Sequence, residues 1–119
     1  MERALETLTR DLEARLDAAL ADLADGCPRP SDIAAKLAAA GCKGVRRGCC
    51  SCPVAVWLAR QLGLPDDLLV NVGVDLAWIE AGDNPGDEVA CAVVPPVVAI
   101  FVGIFDQDSR GFPELEAAS

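Results

Sequence analysis

The stretch GCKGVRRGCCSCPVAVWLARQLG, residues 41–63, decides the fold, because a tight basic loop holding four of the six cysteines runs there into an apolar helix. The junction reads from local chemistry. Cys52 stands where an N-cap belongs and Pro53 where the first helical residue belongs, since proline lacks only a donor that has no partner in a first turn. Val54, Trp57, Leu58 and Leu62 then fall on one face and Gly63 stops the chain, so the spacing predicts a buried α-helix over Pro53–Leu62.

Upstream, Leu5, Leu8, Leu12, Leu16, Leu20 and Leu23 recur at steps of three and four, which predicts a long amphipathic helix ending at Gly26. The segment CPRP at 27–30 is a rigid connector. Ser31 is placed to cap a second helix with Ile33, Leu37 and Ala40 on its inner face and Gly41 as its stop. Downstream, LLVNVGVDLAWIEA at 68–81 alternates in period two, with a turn expected near residues 73–75. The turn formers at 82–88 precede a strand at 89–94, and the tail from 108 reads as loop and fraying end.

The 17 uncharged residues VACAVVPPVVAIFVGIF, 89–105, reach the lower edge of a membrane span. Pro95 and Pro96 in their middle suit the end of a strand and the first turn of a helix, so no membrane partner is expected. The order of elements predicts one α+β domain over residues 1–119. Three N-terminal helices come first, then a small antiparallel hairpin or sheet, then a C-terminal helix.

Charge divides the same way. Residues 1–25, the amphipathic helix, carry 3 basic and 7 acidic side chains; residues 26–64, the cysteine-rich helical part, carry 6 and 1; residues 65–119, the hairpin and last helix, carry 1 and 11. A formal net charge of −9 opposes phosphate, so no nucleic-acid partner is expected. The opening MERALETLTRDLEARL lacks the apolar core of a secretory leader, which makes a cytoplasmic location and reduced thiols the expectation. Histidine is absent, removing the commonest general base and metal ligand; no catalytic residue is assigned, and the chain is expected not to be an enzyme.

The segments CPVAVWL (52–58), PPVVAIFVGIFD (95–106) and FPEL (112–115) resemble a pattern met in small, mostly uncharacterised proteins of high-GC actinobacteria and their mobile elements. The resemblance covers the C-terminal two thirds. It implies no activity and assigns no functional residue.

Three chemistries compete with plain packing. Cys42, Cys49, Cys50 and Cys52 offer four thiolates, and zinc accepts four cysteines tetrahedrally. The C-C-x-C spacing sends adjacent side chains in diverging directions, so no cofactor is expected and zinc is the alternative. Cys52 is the candidate reactive thiol of a redox-sensing module, at a helix N-terminus near Lys43, Arg46 and Arg47. Three helices before a hairpin is also the order of a winged helix, but Pro53–Leu62 lacks the polar face that a groove-reading helix needs.

The reading favoured is a small protein-interaction or regulatory protein that self-associates. Its last helix carries apolar side chains all round, which predicts a homodimer held by Val98 and Val102, by Leu12 and Leu16 on the first helix, or by both. The loop residues Lys43, Arg46 and Arg47 form a second candidate contact surface.

Overall fold

A computed structural model describes residues 2–46, 51–65, 67–81, 88–107 and 111–116, with the backbone alone for residues 2–9. Helix α1 spans Glu2–Ala24, α2 Pro30–Ala39, α3 Pro53–Leu62 and α4 Pro96–Gln107. Strands β1 (Leu68–Val72), β2 (Leu76–Ala81) and β3 (Glu88–Val93) lie between α3 and α4, and Pro113–Leu115 forms a 3-10 turn. The fold is α+β, as the order of elements predicts.

Local signals account for most boundaries. Cys52 is the N-cap of α3, its sulfur accepting from the Ala55 N–H at 3.4 Å, and Gly63 closes the helix at φ 60°. Gly26 and Gly41 follow α1 and α2 in the same left-handed conformation, both at φ 71°. Helix α2 departs from expectation: its N-cap is Arg29 with Pro30 in the first turn, so Ser31 is already helical and caps nothing. Proline at the first helical position moves the start upstream, and the Asp32 carboxylate accepts from the Arg29 backbone N–H at 3.0 Å.

The sheet is antiparallel in the order β1-β2-β3. Val70 pairs with Ile79 and Val72 with Ala77, while Ala77 pairs with Ala92 and Ile79 with Ala90. These residues share the face that α1 and α3 cover, and most are fully buried with Leu16, Leu20, Val54 and Leu58. Residues 73–75 make the turn between β1 and β2, closed by the Gly73 N–H donating to the Leu76 carbonyl at 2.9 Å. Pro95 and Pro96 act as expected: the strand ends, and the Pro95 carbonyl takes the Ala99 N–H to start α4. No helix among the described residues is long and apolar enough to cross a membrane.

Helix α4 packs on α2 and touches α1. Val98, Phe101, Val102 and Phe105 are its inward face, the last two valine positions being 0% and 3% exposed. This corrects the dimer contact expected at Val98 and Val102. Two apolar stripes compete on α4, and the one holding both phenylalanines buries more area and wins the core. Leu16 is likewise fully buried and Leu12 half-buried against the same core, so these two positions of the first helix also pack inside the chain; the side chains of Leu5 and Leu8 lie outside the described residues.

The tail also departs from expectation. Leu115 is 0% exposed, its carbonyl accepts from the Gly44 N–H at 2.8 Å, and Glu116 forms a parallel bridge with Gly44. The Phe112 ring packs on Phe101 with centroids 5.0 Å apart. Gly44 permits this closeness: a Cβ there would meet the backbone of Ser51, Cys52 and Pro53 inside the 3.0 Å that real Cβ atoms keep. One glycine therefore lets the loop, the start of α3 and the tail meet.

Candidate interaction surface

The loop before α3 holds the cysteines and cations from which metal, thiol and contact roles are expected. Its ends are tied by the Val45 N–H donating to the Ser51 carbonyl at 2.8 Å. Cys42 and Cys52 are both buried, at 1% and 3% exposure, whereas Arg47, Cys49 and Cys50 lie outside the described residues. Cys52 is occupied as a helix cap, and Cys42 Sγ receives the Arg60 guanidinium at 3.6 Å. No group of three or more metal-binding side chains occurs among the described residues.

The cations have a different task from the one expected of them. Arg46 turns inward, its side chain 13% exposed, and donates to the Phe105 carbonyl in the last turn of α4 at 2.5 Å. It also faces Glu116 at 3.4 Å. Arg46 is therefore corrected from contact surface to internal clamp, because the last carbonyls of a helix lack intrahelical donors and carry the negative end of its dipole, which a guanidinium complements.

The same device recurs on every helix. Lys36 donates to the Asp22 carbonyl at the end of α1 and lies 3.4 Å from that of Asp25. Arg60 reaches the carbonyls of Ala40 and Gly41 past the end of α2, at 3.3 and 3.5 Å. Arg15 donates to the Leu62 carbonyl at the end of α3 at 2.6 Å. Three of these four cations, Lys36, Arg46 and Arg60, come from residues 26–64. Half of the six basic side chains of that segment are thus helix caps; of the others, Arg29 and Lys43 are exposed and Arg47 lies outside the described residues.

Besides Val45 and Ile100, the exposed large apolar side chains among the described residues all lie on or beside the second face of the sheet. Its residues are Leu69 and Asn71 on β1, Leu76, Trp78 and Glu80 on β2, and Cys91 and Val93 on β3. Leu76 pairs directly with Val93, and the two are 44% and 70% exposed. Val74, in the adjoining turn, is 51% exposed and Leu69 is 37% exposed. Trp78 is half-buried, lying so that a methyl at Gly73 would be 3.7 Å from its Cζ3. Asn71, opposite Trp78 in register, is 3% exposed. Cys91 sits beside Trp78, and desolvation, then the carboxylates of Glu88 and Glu13, push its thiol pKa up.

Sequence reasoning placed these residues in strands but did not single them out. The signal was that β2 is apolar on both parities, with Leu76 and Trp78 opposite Ala77 and Ile79, in a sheet whose helices suffice for one face. On α3 the exposed residues are Arg60 and Gln61, and Arg60 is held at the end of α2. No pocket is present among the described residues. Comparison with protein-family models, with curated proteins and with solved structures finds no match for this chain.

Proposed function

We propose that the chain is a small non-enzymatic protein-interaction module of regulatory type, docking through the open face of its sheet. The observation that carries the reading is the Leu76–Val93 cross-strand pair, two large apolar side chains left exposed side by side next to Trp78. A scattered exposed leucine is ordinary; a paired set on a flat sheet face with an aromatic at its centre has the make-up of an interface core. The homodimer expected through Val98 and Val102 is not retained, because both are internal. A photocrosslinking residue in place of Val93, compared in cells with one in place of Gln61 on α3, tests the reading. Discrete protein adducts at 93 and not at 61 are expected. No adduct at 93 from a folded protein removes the module reading.

A further inference from the structure

The charge around this face selects its occupant. Asp75 lies in the turn between the exposed Val74 and Leu76, Glu88 stands across from Glu80 at the opposite end of the face, and Asp67 precedes β1. Residues 65–107 contain no lysine or arginine, so every charged side chain that the strands and the 73–75 turn place around the apolar centre is acidic. We propose that this face binds a protein segment in which apolar side chains alternate with lysine or arginine. The proposal rests on the interaction-module reading and adds the chemistry of the partner.

A second copy of this chain fits poorly. In a two-fold contact through this face, the acidic set Asp75, Glu80 and Glu88 would be brought against the same acidic set on a second molecule of net charge −9. A head-to-tail contact would need a basic patch elsewhere. Arg15, Lys36, Arg46 and Arg60 are held at helix ends, and Arg29 lies 3.7 Å from Asp32, which leaves Arg10 and Lys43 as exposed cations with described side chains. Nucleic acid and anionic lipid surfaces are repelled for the same reason. A basic apolar segment satisfies both parts of the face: its apolar side chains remove Leu76, Trp78 and Val93 from water, and its cations meet the rim and steer the encounter.

The full chain is titrated with three short synthetic peptides, one alternating Val and Lys, one with Ser in place of Val, and one with Glu in place of Lys. Amide shifts and tryptophan fluorescence are read, with sedimentation run alongside. The Val/Lys peptide is expected to saturate, with shifts concentrated on residues 69, 76, 78, 91 and 93. Binding should weaken about tenfold or more with the Ser peptide, in D75N/E88Q, and at about 0.5 M salt. Equal binding of the Val/Glu peptide overturns the basic-partner class while the docking face stands. Equal binding of the Ser peptide, or shifts centred elsewhere, overturns the face as the site of docking. A concentration-dependent dimer abolished by V93E puts a second copy in place of the basic segment. No saturable binding by any peptide and a monomer throughout overturn both the proposal and the module reading.

Discussion

Arg46 donates to the carbonyl oxygen of Phe105 at 2.5 Å while its guanidinium carbon sits 4.6 Å from the centroid of the same residue's ring. One cation thus caps the last turn of α4 and covers the aromatic that anchors that helix in the core. A charge-assisted hydrogen bond contributes about 1.5–3 kcal/mol. The cation–π contact adds about 0.5–1. The pair with half-exposed Glu116 adds less than about 1 kcal/mol. Because these share one side chain they do not sum, and Arg46→Met is expected to lower stability by about 2–3 kcal/mol. Lys43→Met should stay within about 0.5 kcal/mol. Urea denaturation of the two variants decides; equal midpoints would return Arg46 to the surface.

The buried tail gives a second expectation. Leu115 is fully enclosed, and truncating such a side chain costs about 2–5 kcal/mol through lost burial and the cavity left behind. Leu115→Ala should therefore fall in that range, while Glu114→Ala, exposed one residue earlier, should change stability by no more than about 0.5 kcal/mol. Thermal unfolding followed by circular dichroism separates the two. Equal melting points for Leu115→Ala and wild type would make the tail a loose end after all.

The contrast between α3 and the tail shows what the residues reveal in isolation. Cys52, Pro53 and Gly63 specify a helix's beginning and end within a few positions, and Pro95 and Pro96 divide a strand from a helix in the same local way. Leu115 is polar-flanked, and the tail is held by Gly44, which donates to the Leu115 carbonyl, and by Phe101, on which Phe112 packs, neither of them a sequence neighbour. On α4, Val97, Ile100 and Ile104 form as apolar a row as Val98, Phe101, Val102 and Phe105, so the inward stripe is chosen by α2 rather than by periodicity. The basic middle was legible as a charge field. Its role was not, because the carbonyls that Arg46, Arg60 and Lys36 engage belong to other elements, and only the assembled fold brings them within reach.

The cysteine loop yields a prediction about metal. Arg60 lies 3.6 Å from Cys42 Sγ, and a guanidinium at that distance opposes the cation that a thiolate cluster would hold. Cys52 Sγ already accepts from Ala55. Protein prepared under reducing conditions is expected to contain no stoichiometric zinc by elemental analysis. About one zinc per chain, lost on Cys42→Ser or Cys52→Ser, would instead establish a metal module, since a structural site binds tightly enough to survive purification.

Cys91 supplies the pH dependence. Desolvation first, and then the negative charges of Glu88 and Glu13, favour its neutral thiol and raise its pKa in the folded chain. In the unfolded chain the thiol ionises at its ordinary value, so the folded state binds more protons through the interval between the two. The stability that Cys91 contributes is thus fully present below the unfolded pKa and is lost as pH rises through the folded one. Two measurements follow. Alkylation by iodoacetamide at Cys91 should be slower at neutral pH than in the denatured chain, and should accelerate only on the alkaline side of the usual thiol range, because the thiolate is the nucleophile. The alkaline decline in unfolding free energy should also be shallower in Cys91→Ala than in wild type. That comparison cancels every other titrating group, and parallel curves would mean that neither desolvation nor the carboxylates of Glu88 and Glu13 raise the thiol pKa in the folded chain.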